Sequence, residues 1–284
     1  MRFLLVLLVT IFSHTLFADT QLSTQIFDID MGQNNEEPLI FLTSGQVVSF
    51  PKADKALIST LKKGITNRTW FLITINDRRE ILHLKEIPSP LSFQSEVPAK
   101  AWTVETEVYH PSVLKSLDQA RSFFYEARTN AREESQCFNR AHVWSYEWRI
   151  KHNLYSSKAW IFFTRKFIRK YKFEWWFHVA PMVHVVIDNQ VKERVMDIKY
   201  ARGPLKLKQW TDIFMRDKAN CPVVEKYTDH ANHPESGSCF LMKSNMYYYQ
   251  PVDLEQKEIT GTEKLRWLEP EVRHAFKDAF DATL

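Results

Sequence analysis

The sequence predicts an α+β protein in which a smaller β-rich region precedes a core of helices packed on antiparallel strands. Three observations carry that expectation. Residues 19–110 are short apolar runs broken by turn signals. At His110 the pattern changes to apolar residues at every third or fourth position, the spacing of helices. From residue 159 it returns to strands, and charged amphipathic stretches close the chain. Helices first and strands afterwards suit segregated α+β rather than a doubly wound sheet.

Taken in order, Pro38 to Phe50 reads as a hairpin, with LIFL and VVSF joined through the Ser44-Gly45 turn signal. Thr69–Ile75 and Glu80–Ile87 form a second strand pair across Asn76-Asp77-Arg78-Arg79, and Pro88 and Pro90 open a connector. Ser112 is placed to cap a helix running to about Glu134, with Leu114, Leu117, Ala120, Phe123, Phe124 and Ala127 at helical spacing. A second helix begins near Cys137 and runs to about His152. Strands follow at Ala159–Thr164, Glu174–Ile187 and Val191–Tyr200, the last two joined by an Asp188-Asn189 turn. An aromatic strand covers Cys239–Tyr249, and helices fill Thr262 to Phe280. The basic run from Arg165 to Lys172 reads as a solvated strand or loop face, with an acidic protein substrate or a membrane surface as the livelier alternative.

The first eighteen residues combine Arg2, an apolar run from Phe3 to Phe12 and a small Ala18. That is the pattern of a secretory signal peptide, and the run is short for a membrane anchor. An exported protein is expected, periplasmic or secreted. Removing residues 1–18 takes away one basic and no acidic residue, so the formal charge falls from +4 to +3. This balance is too small to argue for nucleic acid, and no later run is long enough for stable membrane insertion. Only six glycines against 14% aromatic residues suit a packed globular chain rather than a repeat or a disordered one. The expected organisation is 1–18 signal peptide, 19–110 β-rich region and 111–284 a second domain of helices and strands.

Three cysteines are an odd number for an oxidising compartment. Cys221 and Cys239, eighteen positions apart in a turn-rich stretch, could close a loop and leave Cys137 as the free thiol. Cys137 stands at the start of a helix, where the positive end of the dipole and unsatisfied N–H groups favour a thiolate and can hold an oxyanion. The plain alternative is a small residue buried where a helix packs. His178 lies in a strand of apolar residues and needs a polar partner there; His184 shares its face and competes for the same role. Asp197 is an acid inside an apolar strand, and antiparallel pairing about Asp188-Asn189 carries it next to His178. The order Cys, His, Asp suits nucleophile, base and orienter of a cysteine hydrolase. A zinc site from His178 and His184 with His142 or Asp197 is the rival chemistry, but there is no HExxH, no CxxC and no short histidine pair.

The segments Cys137-Phe138-Asn139-Arg140-Ala141-His142, Trp175-Trp176-Phe177-His178-Val179-Ala180 and Val195-Met196-Asp197 resemble the three catalytic blocks of bacterial protein-glutaminases. Gly203-Pro204 with Trp210 downstream and the cluster Tyr247-Tyr248-Tyr249 extend the likeness, which covers roughly residues 135 to 252. Those are secreted enzymes that deamidate glutamine side chains in proteins. The resemblance implies a papain- and transglutaminase-like core and no cofactor. It implies Cys137 as nucleophile, His178 as base and Asp197 as orienter, with proteins or peptides bearing accessible glutamine as substrates. In that family an N-terminal pro-region blocks the site until proteolysis, so 19–110 is either such a region or a retained accessory domain. This chain departs from the family in its few cysteines, in the basic block Ile198-Lys199-Tyr200-Ala201, and in its closing helices. A cysteine peptidase, a transglutaminase-like acyltransferase and a non-catalytic exported binding protein remain the alternatives.

Overall fold

The structure, a computed structural model, describes residues 19–33, 36–51, 54–90, 109–232 and 237–284. The expected signal peptide and most of the connector after Pro90 lie outside the described residues.

The N-terminal region comprises β1 (Thr20–Asp30), β2 (Leu39–Leu42), β3 (Val47–Ser49), α1 (Lys55–Asn67), β4 (Trp70–Ile75) and β5 (Ile81–Ile87). Its strands form an antiparallel sheet in the order β3-β2-β1-β4-β5. Both expected hairpins are present. Helix α1 was not anticipated. Asp54 caps it by accepting from the Leu57 N–H at 2.8 Å. Leu61 faces a core of Ile26, Ile40, Leu42, Val48, Phe71 and Ile73. Gly64 lets the helix lie on β4, since a Cβ there would stand 2.5 Å from the Phe71 ring.

The larger part comprises β6 (Val113–Leu114), α2 (Leu117–Glu126), α3 (Cys137–His152), β7 (Ser157–Phe163), α4 (Arg165–Tyr171), β8 (Phe177–Ile187) and β9 (Gln190–Val195). It continues with α5 (Leu207–Phe214), α6 (Tyr227–Asn232), β10 (Cys239–Asn245), α7 (Pro251–Thr260) and α8 (Glu269–Phe280). The sheet runs β10-β7-β8-β6, with β9 on the other side of β8. All its pairs are antiparallel except the two-residue β6 against β8. The α+β expectation holds.

Helix α3 spans the expected residues and is buried from Cys137 through Trp148, held between β8 and α8. Asp188 and Asn189 both take positive φ, 53° and 57°, as the tight β8–β9 turn requires.

Several boundaries differ from expectation; β7 runs Ser157–Phe163 and β8 begins at Phe177 rather than Glu174. Ser112 caps no helix: its hydroxyl accepts from the Tyr155 N–H at 3.0 Å, and Ser116 caps α2 instead. Helix α2 stops at Glu126 because the chain then turns onto α8, where the Arg132 N–H donates to Ala279 O at 2.8 Å. Strand β9 ends at Val195, which turns to Leu205 for its hydrogen bonds. Strand β10 ends at Asn245, whose side-chain oxygen accepts from the Tyr247 N–H at 2.9 Å and turns the chain. The closing helices are α7 and α8, separated at Gly261, rather than a stretch beginning at Thr262. The basic run is also helical: Thr164 caps α4, and Phe167 and Ile168 point into the core.

Cys221 and Cys239 form a disulfide across 18 positions, so Cys137 is the free cysteine. The N-terminal sheet docks on the larger part through the β2–β3 turn. Val47 N–H donates to Glu174 O at 2.8 Å, and Trp176 N–H donates to Gly45 O at 2.9 Å. The Trp176 indole donates to Leu42 O at 2.7 Å and stacks on Phe27 at 4.4 Å. Ion pairs Arg165–Asp28 and Arg169–Asp30, each 2.6 Å, complete the seam. Two cations of the basic run are therefore spent on N-terminal acids. Among the described residues no helix is long and apolar enough to cross a membrane.

Candidate active site

Cys137 opens α3. Gln136, the N-cap, offers no side-chain hydrogen bond to the helix. The start is held from outside instead. Asp278 of α8 accepts through Oδ2 from the Gln136 N–H at 3.3 Å and from Asn139 Nδ2 at 2.6 Å. Its carboxylate sits at the positive end of the helix, where a negative charge is favoured. The buried Arg140 guanidinium reaches back one turn to Ser135, donating to its hydroxyl at 3.0 Å and to its carbonyl. One long-range clamp and one local clamp thus fix the residues on either side of the nucleophile candidate.

His178 is the second residue of β8, opposite Ile161 of β7. Its Nε2 lies 2.7 Å from Asp197 Oδ2, and Cys137 is near enough to the same ring to favour its charged form. Asp197 reaches this place because β9 ends two residues earlier, while the Met196 N–H still holds Pro181 O at 2.8 Å. The same Oδ2 accepts from Trp210 Nε1 of α5 at 2.9 Å. Aromatic rings close the imidazole in: Phe214 at 4.5 Å, Tyr200 at 5.3 Å and Trp210 at 5.8 Å between centroids.

The electrostatics follow from burial against pairing. Burial opposes the imidazolium, but the Asp197 carboxylate and Cys137 outweigh it and push the His178 pKa up to about 9. Burial alone would raise Asp197; the charge and hydrogen bond of His178, the Trp210 indole and the Arg140 charge together hold it below its usual value. The pair is therefore set as imidazolium and carboxylate. Cys137 is 2% exposed, His178 7% and Asp197 1%. All three side chains are thus closed off from solvent in the intact chain.

The structure brings together the three residues read from the sequence and separates their competitors. His184 is six residues further along β8, roughly 20 Å at strand rise, beside Ser157 at 3.4 Å and opposite Glu193. His142 is buried against Lys158 at 3.1 Å. The histidines of the zinc alternative are thus not gathered. Trp210 was legible as a landmark, though its bond to Asp197 was not. Arg140, Tyr200, Phe214 and Asp278 were not singled out for roles at the site, because their parts depend on contacts between distant segments.

These features define a class: an α+β protein with cysteine, histidine and aspartate joined at the start of a buried helix and on an adjacent strand. Residues 115–214, which contain all three, match the model of a family described as glutaminase. A crystal structure of pro- protein-glutaminase shares the fold over 92% of both chains, with 14% identity and a TM-score of 0.52. A mutant of pro- protein-glutaminase matches over 91% of both chains, with 15% identity and a TM-score of 0.54. No curated protein matches the sequence. The segment carrying the site thus matches the glutaminase model, and the fold is similar to that of the pro- protein-glutaminases.

Proposed function

We propose that the chain is an exported cysteine hydrolase that deamidates glutamine side chains in proteins, with Cys137 as nucleophile, His178 as acid and base, and Asp197 as orienter. The observation that carries this reading is the His178–Asp197 hydrogen bond beside Cys137, within the residues that match the glutaminase model. The Cys137 thiolate attacks the side-chain amide carbon of glutamine, and first-turn N–H groups of α3 hold the oxyanion. One such donor is worth about 3–4 kcal/mol of barrier in well-studied hydrolases. The His178 imidazolium protonates the departing nitrogen, ammonia leaves, and a thioester to Cys137 remains. His178, now neutral, takes a proton from water as it attacks the thioester. Glutamate is released and the thiolate and imidazolium return. Positioned proton transfer of this kind contributes roughly a hundred- to ten-thousand-fold.

The same reading makes residues 1–18 a signal peptide and the N-terminal sheet a removable pro-region. Two observations support the second part. The β2–β3 turn is hydrogen-bonded to residues 174–176, immediately before His178, and the three groups are buried in the intact chain. The two structures matched over most of the chain are pro- forms, and both the sheet and the core lie within the shared fold.

The test uses purified protein, before and after limited proteolysis, with a glutamine-rich unfolded protein. Ammonia release and intact substrate mass are followed, with Cys137→Ala as control. Ammonia without chain cleavage, absent in the variant, supports the deamidase. Cleaved substrate moves the chain to the peptidases, and amine incorporation moves it to the acyltransferases. Ammonia release undiminished in Cys137→Ala removes the nucleophile assignment.

A further inference from the structure

Lys158 of β7 has no exposed surface and lies against the helix that bears Cys137. Its Nζ is 3.1 Å from His142 Nδ1, five residues along α3 from Cys137, and it donates to the Tyr248 carbonyl. An ammonium facing Nδ1 places the ring proton of neutral His142 on Nε2, which has no hydrogen-bond partner among the described residues. Among the described residues no carboxylate bonds Lys158 directly. The neighbouring acids, Asp253 of α7 and Glu271 of α8, are taken by Lys264 at 2.9 and 2.8 Å.

Such a placement is hard to explain by stability. A buried charge without a paired partner is strongly unfavourable, and apolar side chains often replace buried ions at no loss. Burial, with repulsion from Lys264, lowers the Lys158 pKa to about 7. His142 is kept neutral by burial and by the same two lysines. The anions that favour the Lys158 charge are Asp253, Glu271 and Cys137. Two of these are paired with Lys264. The third, Cys137, has His178 on one side and Lys158 as a second cation.

We propose that Lys158 is a positioning residue of the reaction, a cation held by His142 and the Tyr248 carbonyl that anchors α3 and faces negative charge on the Cys137 sulfur. The inference rests on Cys137 being the nucleophile. Lys158 touches neither substrate nor sulfur; it acts through the helix and through the buried interior, where charge is weakly screened.

The experiment compares wild type, Lys158→Met, His142→Leu and Cys137→Ala as full chains, before and after limited proteolysis. Because the other two cysteines are bonded together, iodoacetamide uptake at pH 6 reports Cys137 alone. Lys158→Met is expected to slow alkylation and kcat by tenfold or more, leave KM within twofold, and keep or raise the urea midpoint. Unchanged alkylation and kcat, or a midpoint loss with both rates intact, overturns the proposal by making Lys158 purely structural. If the methionine variant fails to fold, His142→Leu, which removes the side-chain acceptor, gives the same reading: slower alkylation supports it and unchanged alkylation overturns it. Activity retained in Cys137→Ala overturns the nucleophile reading itself. An inactive alanine variant beside a fully active Lys158→Met overturns this inference alone.

Discussion

Trp210 donates its indole N–H to Asp197 at 2.9 Å, on the same oxygen that bonds His178 at 2.7 Å. The indole therefore stabilises the carboxylate and fixes the oxygen facing the imidazole, an outer partner of the kind that orients catalytic groups. Trp210→Phe keeps an aromatic ring and deletes only the donor. Losing one hydrogen bond to a charged group costs about 1.5–3 kcal/mol, so kcat is expected to fall roughly ten- to a hundredfold with KM little changed. Steady-state kinetics decide; an unaltered kcat removes Trp210 from the site.

The His178–Asp197 pair gives stability a defined pH dependence. An unfolded imidazole titrates near 6.5, whereas in the fold His178 is raised to about 9. A raised basic group contributes fully below pH ~6.5 and loses its contribution as pH rises through about 9. Asp197 moves the other way: its carboxyl is lowered, so its contribution is present above pH ~4 and disappears on further acidification. The rise at His178 corresponds to about 3 kcal/mol. Urea midpoints of the wild type are expected to drop between pH 6 and pH 9.5, and Asp197→Asn is expected to flatten most of that slope. Parallel slopes in the two proteins would show that the pair does not control it.

The Cys221–Cys239 bond ties the segment after α5 to the first residue of β10. Closing a loop of about this length restricts the unfolded chain by roughly 3 kcal/mol. The double variant Cys221→Ala/Cys239→Ala is expected to unfold at a clearly lower temperature. Thiol titration should count one reactive cysteine in the denatured, unreduced wild type and three after reduction. Three thiols without reductant would mean the bond is absent in the isolated protein.

What could be read from the chain was local. Helix α3 stands at its expected bounds, and the hairpins at Ser44-Gly45 and Asp188-Asn189 are visible because their turn residues are adjacent in sequence. Cys137, His178 and Asp197 were legible as residue types in a suitable order, and β8–β9 pairing carried Asp197 to its partner. Helix α1 was hidden because Leu57, Leu61 and Ile65 lie between strong strand signals. Helix α4 has too few residues to show a period. The clamps were hidden for another reason: Asn139 and Asp278 are 139 positions apart, and His142 and Lys158 are 16 apart on different elements. Only the packing of α3 between β8 and α8 makes them neighbours.

Gly45 offers the sharpest test of the N-terminal sheet as a cover. Its φ of +94° is a conformation that L side chains avoid, and an added Cβ would stand 3.1 Å from the Phe177 ring, the residue before His178. Its carbonyl accepts from the Trp176 N–H, so the turn cannot shift without weakening the seam. Gly45→Ala should therefore cost about 1–3 kcal/mol of local strain, and that cost falls on the docked arrangement rather than on the core beneath it. If the sheet blocks access, the unprocessed variant should release ammonia from a protein substrate severalfold faster than unprocessed wild type, and limited proteolysis should act on it sooner. After complete processing the two should be equal, because the substituted residue is gone. Equal activity before processing would instead mean that the sheet is a retained domain and that the cover over Cys137 lies elsewhere.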